Sequence, residues 1–254
     1  MERFYIKFED FNIYSVYHEP VISENNTKGV VLCNPIGHEY IRCHRLYLQL
    51  AKSLSQKGYH VIRFDYPFTG DSFSSEYDRF DQLNIDICLR SINRVCREFQ
   101  DNTGITQIFL GGIRFGATTA FLSSINLKPT GLFLWFPVIY GKKYINEIRN
   151  EYKKWLNGSF TFEERNKKDT VDIFGFTYSV KLLNELNELN LNSINLSNCK
   201  LLLIDNFDFF SKEATDYCFY KAINQSIWIK KEGQRNKSLV PVDELKYIQN
   251  WFVV

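Results

Sequence analysis

The chain has 254 residues, of which 44% are hydrophobic, and its formal net charge is +2. This length allows one large domain, or one domain with an insertion, and a sizeable buried core. A net charge so close to zero argues against strong binding to a phosphate backbone, so we expect no nucleic-acid partner.

Targeting, membrane and metal signals are absent from the sequence. No apolar run approaches the roughly 20 residues that a membrane-spanning helix needs. The first residues alternate like a strand and contain no signal-peptide core. The six cysteines form no Cys-x-x-Cys pair, and His38 followed directly by Glu39 is not a metal-ligand spacing. We therefore expect a cytoplasmic protein with reduced thiols, no metal, no cofactor and no membrane partner, whose oligomeric state the sequence does not indicate.

The first part of the chain predicts strands and helices in alternation. Its first two strands would form a hairpin, and the later strands are short, nearly continuous apolar runs. Such runs separated by helices are typical of an α/β protein with a mostly parallel, doubly wound sheet. The predicted strands are residues 4–8, 12–18, 29–33, 59–65, 107–110 and 131–136, and the predicted helices are residues 44–57, 80–100 and 115–126.

The alternation stops after residue 138. Two amphipathic helices, at residues 144–157 and 180–191, are predicted there, and a polar stretch joins them. We interpret residues 141–196 as an inserted helical lid, and residues 1–140 together with 197–254 as the core domain. After the lid, the sequence predicts a strand at 200–205, a helix near 212–223, a strand at 226–230 and a closing helix at 242–252.

Residues 107–120 contain the most informative pattern. An apolar run is followed by Gly112-Ile-Arg-Phe-Gly116 and then by an apolar helical stretch. A strand, a sharp turn and a helix, with glycines two residues before and after the apex, form the frame of a nucleophile elbow. The apex here is Arg114 instead of serine. A guanidinium has no proton to lose at neutral pH, so Arg114 cannot be an acyl-transfer nucleophile.

Four blocks together resemble a serine-aminopeptidase-like subset of the α/β-hydrolase superfamily, whose members often lie beside natural-product or exopolysaccharide assembly genes. The blocks are Asn34-Pro-Ile-Gly-His-Glu-Tyr-Ile-Arg-Cys-His-Arg45, Arg63-Phe-Asp-Tyr-Pro-Phe-Thr-Gly-Asp-Ser72, Gly112-Ile-Arg-Phe-Gly-Ala117 and Leu134-Trp-Phe-Pro-Val-Ile-Tyr-Gly141. The resemblance covers residues 28–190 and implies the α/β-hydrolase fold, with Gly-x-Arg-x-Gly as a trait of the subset. The fourth block departs from the subset's Trp-Asp-Pro, because Phe136 stands where the acid would be.

The other members of a catalytic triad are also missing from their expected positions. In this fold the acid follows the sixth or seventh strand, and the histidine follows the last one. Asp205 and Asp208 follow the strand at 200–205, and Asp208 has the offset closer to that of the usual acid. All four histidines of the chain occur no later than His60. Hydrolysis by an ordinary Ser-His-Asp triad is therefore not expected.

The frame of an oxyanion hole is retained around Arg114. The backbone N–H of Phe115 and that of Ile36 or Gly37 would point to one place, where a helix N-terminus and the guanidinium favour an anion. One interpretation is thus a site for a carboxylate, an enolate or a phosphate. The alternative is a structural arginine, because an unpaired buried charge is costly. Its candidate partners are Glu39, Asp71 and Asp208.

The loop after the strand at 29–33 contains the only predicted acid–base cluster. His44 would move a proton while Glu39 orients it, and His38 would contact the substrate. Alternatively, His44 begins the next helix and Glu39 pairs with a nearby arginine, Arg42 or Arg45. Phe136 would form an aromatic wall of the pocket, since the chain is rich in aromatic residues. Cys43 could be a nucleophile only if a base lay beside it.

Three functions remain open from the sequence. The first is a non-hydrolytic tailoring enzyme of a biosynthetic pathway, which performs proton transfer, cyclisation or acyl handling on a small-molecule, acyl or peptidyl substrate with anionic character. The second is a catalytically silent protein that binds a ligand or partner. The third is an acyl hydrolase or thioesterase with an unconventional nucleophile. A polar, open pocket in which Glu39 or His44 can reach a substrate would favour the first function over the second.

Overall fold

The computed structural model describes residues 1–22, 26–74, 80–158, 168–192, 199–209, 216–222 and 241–252. Within these ranges, nine strands form one sheet and two more form a separate hairpin. The strands are β1 (Glu2–Phe8), β2 (Phe11–His18), β3 (Lys28–Cys33), β4 (His60–Phe64), β5 (Phe73–Ser74), β6 (Gln107–Ile113), β7 (Gly131–Trp135), β8 (Thr170–Ile173), β9 (Phe176–Ser179), β10 (Lys200–Asp205) and β11 (Tyr217–Lys221). The helices are α1 (His38–Gln56), α2 (Ile85–Thr103), α3 (Phe115–Leu127), α4 (Gly141–Asn157), α5 (Val180–Glu188) and α6 (Val242–Trp251).

The large sheet is mostly parallel, as the sequence predicts. Its strand order is β1-β2-β4-β3-β6-β7-β10-β11, and the short β5 pairs with β2. The pairs β1–β2, β2–β4 and β2–β5 are antiparallel, and the pairs from β4 through β3 to β11 are parallel. Since parallel neighbours need a crossover, the helices between them cover both faces of the sheet.

Two hydrophobic cores lie on the two faces of this sheet. The larger one includes the apolar sides of α2, α3, α4 and α5, and the smaller one includes those of α1 and α6. Central strands such as β3 and β7 contribute to both cores, because successive side chains of a strand point to opposite faces. Their continuous apolar sequences are thus explained by burial on both sides.

The segment between β7 and β10 contains a hairpin that the sequence did not predict. It contains α4 and α5, but β8 and β9 form an antiparallel hairpin between them. The two-residue turn Phe174–Gly175 has φ angles of 54° and 79°, as a tight hairpin turn requires. The flanking Thr, Val, Ile, Phe and Tyr residues are good strand formers, which the sequence analysis did not recognise. The hairpin adds no strand to the large sheet.

Two further predictions about secondary structure are wrong. A helix was expected near residues 212–223, but residues 217–221 form β11, which pairs in parallel with β10. Pairing with a buried strand outweighs the weak helical pattern of that stretch. The helix expected from His44 begins at His38, directly after Gly37, whose φ is 61°. The strand expected at 226–230 lies outside the described residues.

Within the part of the chain that the structure describes, no helix has both the length and the apolar character to cross a membrane.

Candidate functional site

The predicted strand–turn–helix is present, and Arg114 is its apex. Strand β6 ends at Ile113 and α3 begins at Phe115, so Arg114 alone makes the turn. Its φ of 54° and ψ of −120° are rare for a residue with a side chain. Its backbone N–H donates to the carbonyl oxygen of Trp135 at 2.9 Å, which ties the apex to β7. The turn therefore holds the Arg114 side chain beyond the carboxyl ends of the strands.

The two glycines around the apex are required by close packing of backbone against backbone. A Cβ on Gly116 would lie 2.0 Å from the carbonyl oxygen of Cys33, and one on Gly112 would lie 2.4 Å from the carbonyl carbon of Gly116. Both distances are far below van der Waals contact. The spacing Gly-x-Arg-x-Gly thus lets α3 fold back onto β6 and onto the end of β3.

The guanidinium of Arg114 is bound by two carboxylates. Its Nε donates to Oε1 of Glu39 at 2.9 Å, and its Nη2 donates to Oε2 of Glu147 at 3.1 Å. The ring of Tyr144 lies 5.0 Å from the guanidinium carbon, and the Tyr144 hydroxyl donates to the other oxygen of Glu39 at 3.0 Å. The Arg114 side chain is 11% exposed and that of Glu39 is 2% exposed. Arginine, glutamate and tyrosine therefore form a buried network.

The electrostatics of this network keep Arg114 charged. Burial alone would lower the pKa of Arg114, but the charges of Glu39 and Glu147 more than offset it, so the pKa is raised. Burial and the charge of Glu39 raise the pKa of Tyr144 well above its usual value. At neutral pH, a guanidinium and a neutral phenol thus both donate to the Glu39 carboxylate.

Of the three partners that the sequence suggested for Arg114, Glu39 is the one that binds it. Asp71 lies elsewhere, where its backbone N–H donates to Asp65 Oδ2 at 2.9 Å. Asp208 is exposed and accepts a hydrogen bond from the Tyr217 hydroxyl. Sequence analysis missed Glu147, which lies on α4. The only sequence signal was its spacing of three residues from Tyr144, which puts the two side chains on one helix face.

This chain is similar to known proteins in structure but not in sequence. No protein-family model and no curated protein sequence matches this chain. Est1E from Butyrivibrio proteoclasticus, solved with ferulic acid, has a TM-score of 0.61 at 15% identity and covers 85% of this chain and 87% of its own. DcsB in complex with its substrate analogue has a TM-score of 0.63 at 12% identity over 99% and 98% of the two chains. Mouse alpha/beta hydrolase domain-containing protein 10 has a TM-score of 0.58 at 12% identity over 100% and 97%.

This chain has the α/β-hydrolase fold. The strand order, the elbow after β6 and the structural likeness agree on it. At such low identity the likeness concerns the fold alone, and the chemistry must be argued from the side chains.

The place where an oxyanion hole would lie beside the elbow is bordered by backbone and covered by Tyr178. The N–H of Phe115 lies in the first turn of α3, where N–H groups have no acceptor within the helix. On the other strand-end loop, a Cβ on Gly37 would be 1.7 Å from the hydroxyl oxygen of Tyr178. The ring of Tyr178, from β9, therefore fills the space beside Gly37. The side chains of Ile36 and Phe115 are buried in the core.

Two buried polar atoms near Glu39 lack hydrogen-bond partners. Among the described residues, nothing binds the Nδ1 of His38 or the hydroxyl of Tyr178. His38 is 6% exposed, and its ring centroid lies 4.6 Å from that of Phe174 in the β8–β9 turn. Burial, and then the charges of Arg42 and Arg114, lower the pKa of His38 to about 4. At neutral pH, His38 is therefore an uncharged side chain beneath the hairpin.

The structure does not bring Glu39 and His44 together. The two residues are five positions apart on α1, which turns their side chains about 140° apart. His44 is exposed, and its ring centroid lies 6.5 Å from that of Tyr40. Glu39 binds Arg114, so the predicted pairing with Arg42 or Arg45 is wrong. The predicted acid–base cluster is thus divided between two sides of one helix.

The remaining candidates lie around the site without completing a triad. Phe136, with a φ of 46°, packs in the core beside α1 and α6. Cys43 is fully buried, and burial raises the pKa of its thiol, so it stays protonated. Burial raises the pKa of Asp205 to about 6, and the charge of Arg114 partly opposes this shift. No group of three or more His, Cys, Asp or Glu residues in the described chain could hold a metal ion.

We expect a pH-dependent contribution of His38 to stability. Its pKa is lowered from 6.5 to about 4, so the unfolded chain binds this proton more readily. Stability is then lost as the pH falls from about 6.5 towards 4, by about 1 kcal/mol per pH unit. The His38→Gln variant should lack this part of the pH dependence in urea unfolding. In the wild type, an NMR titration of His38 with a midpoint near 6.5 would contradict the expectation.

Proposed function

We propose that this protein is a catalytically silent α/β-hydrolase-fold protein that binds a small ligand or a partner and does not hydrolyse it. One observation carries the proposal. The side chain at the nucleophile position is an arginine whose charge is met by Glu39 and Glu147. Glu39 in turn uses both carboxylate oxygens within the network, so it is not free to act as a base.

The network supports a structural role for the elbow. Arg114 belongs to the core, Glu39 to α1, and Tyr144 and Glu147 to α4 of the segment between β7 and β10. The side chain that would attack a substrate in a hydrolase instead connects these three elements. We propose that the segment acts as a lid and that Arg114 holds its first helix on the core.

A small-molecule ligand in the cytoplasm is part of this proposal. The described residues contain no helix suited to span a membrane, and the net charge of +2 does not favour nucleic acid. Two proteins of similar fold were solved with small molecules, namely ferulic acid in Est1E and a substrate analogue in DcsB.

A second candidate function is a non-hydrolytic enzyme of a biosynthetic pathway. The observation that favours it is the pair of unpartnered polar atoms, His38 Nδ1 and the Tyr178 hydroxyl, close to the elbow backbone. A carbonyl-bearing or anionic substrate placed under the β8–β9 hairpin would accept a hydrogen bond from the Tyr178 hydroxyl. Movement of the hairpin would have to admit it, because Tyr178 fills the space beside Gly37. If the wild type converts such a substrate into a product and Tyr178→Phe does not, the enzymatic function is favoured over the catalytically silent one.

We expect the purified protein to hydrolyse neither p-nitrophenyl acetate nor an acyl thioester above the buffer background. The elbow offers no nucleophile, and the thiol of Cys43 is buried and protonated. Spectrophotometric assays of the wild type, Cys43→Ala and His38→Gln should give the same rates. Turnover in the wild type that either substitution abolishes would contradict the proposal and favour a hydrolase with an unconventional nucleophile. Weak turnover that neither substitution changes would indicate a contaminating esterase.

A further inference from the structure

A polar cavity lies between α1 and the β1–β2–β4 side of the sheet. Its volume is about 380 Å³, and His44 and Tyr40 of α1 face Arg63 and Tyr14 of the sheet across it. Asp65 and Asp71 lie on the same wall, at the end of β4 and in the loop that follows. This cavity is separate from the Arg114 network, because none of the four residues of that network lines it.

Arg63 is a buried cation that forms no ion pair with any residue that the structure describes. The residue is only 8% exposed, and its Nε donates to Nε2 of His18 at 3.3 Å. Burial and the charge of Arg63 lower the pKa of His18 to about 4, so that imidazole is neutral at pH 7. Among the described residues, no carboxylate lies within ion-pair distance of Arg63. The other N–H groups of the guanidinium can therefore donate to a ligand in the cavity that Arg63 lines.

Asp65, whose charge acts on Arg63, accepts hydrogen bonds from other donors. Asp65 Oδ1 accepts from Asn34 Nδ2 at 3.1 Å and from the Tyr40 hydroxyl at 2.9 Å. Asp65 Oδ2 accepts from the backbone N–H of Asp71 at 2.9 Å. These hydrogen bonds hold the Asp65 carboxylate in the loop after β4. None of them comes from Arg63, so the N–H groups of Arg63 are not used on Asp65.

A second arginine, Arg3, lies on the same face of the sheet as Arg63. Arg3 of β1 is opposite Val16 of β2, and Val16 is opposite Arg63 of β4. Residues opposite each other in antiparallel strands have their side chains on the same face. Arg3 and Arg63 therefore point to the same side of the sheet, where both line the cavity. An anion between them would be attracted by both, and their mutual repulsion would be relieved.

We propose that this cavity binds a small organic carboxylate through the guanidinium of Arg63. The planar guanidinium matches a carboxylate in a two-point hydrogen bond, and the rings of Tyr14 and Tyr40 offer an apolar wall to the organic part. A cavity of 380 Å³ is within the range of small-molecule pockets. The proposal does not depend on the function argued above, since Arg114, Glu39, Tyr144 and Glu147 do not line this cavity.

The charges of the cavity favour a monoanion over a phosphate. Asp65 and Asp71 line the same space as Arg3 and Arg63 and would repel a dianion more strongly than a carboxylate. Benzoate is therefore a suitable probe, because it combines one carboxylate with a planar apolar group. Inorganic phosphate serves as the competing anion.

Calorimetric titration of the full chain with benzoate at constant ionic strength tests the site. We expect saturable binding to the wild type and to Arg94→Met, a matched control at an arginine outside the cavity. Arg63→Lys keeps the charge but loses the planar fork, so its affinity should fall about tenfold or more. Arg63→Met should not bind. Equal binding by Arg63→Met and the wild type, or binding of phosphate without binding of benzoate, would overturn the proposal.

An NMR experiment on the wild type covers the case in which Arg63→Met does not fold. His44 lines the cavity and is exposed, so its ring resonances report on occupancy. Benzoate should shift them along a saturation curve with the calorimetric affinity, and an equal concentration of chloride should not. Unchanged His44 resonances at saturating benzoate would place the carboxylate elsewhere and refute the assignment.

Discussion

Replacing Arg114 by methionine is expected to lower the free energy of unfolding by about 3–5 kcal/mol, as measured by urea unfolding. The substitution leaves the Glu39 carboxylate without its cation, although its side chain is only 2% exposed. Methionine keeps the apolar stem of arginine and removes only the guanidinium, so most of the loss comes from the unpaired charge. Glu147 contributes less, since its side chain is 33% exposed and water can solvate it.

Two further variants test whether the loss of stability arises from the buried pair of Arg114 and Glu39. In Arg114→Met/Glu39→Gln, both charges of the buried Arg114–Glu39 pair are gone, so part of the lost stability should return. Arg94→Met removes an arginine that pairs with Glu98, and both of those side chains are about one-third exposed. That substitution should cost at most about 1 kcal/mol. An Arg114→Met variant as stable as the wild type would mean that Arg114 awaits an external anion.

Replacing Gly116 by alanine is expected to cost about 3 kcal/mol or more, at the upper end of overpacking effects. The new Cβ would lie 2.0 Å from the carbonyl oxygen of Cys33 and 2.8 Å from the carbonyl carbon of Asn34. Both are backbone atoms of β3 and of the loop after it, which cannot move aside like a flexible side chain. The elbow would have to open, and α3 would lose its packing on β6. Urea unfolding measures the loss.

Gly158→Ala is the matched control for this substitution. Gly158 ends α4 with a φ of −90°, and a Cβ there would have its nearest contact at 3.7 Å. Alanine should therefore be neutral or slightly stabilising at this position. If Gly116→Ala unfolds at the same urea concentration as Gly158→Ala, the close approach of α3 to β3 is not a requirement of the fold.

In the proposed function, the elbow has a structural role and no catalytic one. The turn still projects one side chain beyond the sheet, with the backbone geometry and glycine packing that such a turn needs. The side chain that it projects is used to hold α1 and α4. Arg63 is another buried guanidinium of the same molecule, and it donates to His18 without forming an ion pair with any described residue.

The sequence by itself determined that the sheet is mostly parallel, with helices on both faces, and where the elbow lies. Strands such as β3 and β7 are apolar throughout, because both of their faces are buried, and that pattern is local. The glycine spacing around Arg114 is equally local, since it reflects one turn between adjacent elements. The absence of a serine at the apex and of a histidine after His60 is also read directly from the chain.

Only the tertiary structure decided which side chains meet. Glu147 lies 33 positions after Arg114 and reaches it because α4 folds back over the elbow. Strand β11 forms because β10 offers it a partner, whereas its own sequence had suggested a helix. Glu39 and His44 looked like one cluster in the sequence, but the early start of α1 turns them to different sides. Periodicity specifies the faces of an element, and the packing of distant elements decides what each face contacts.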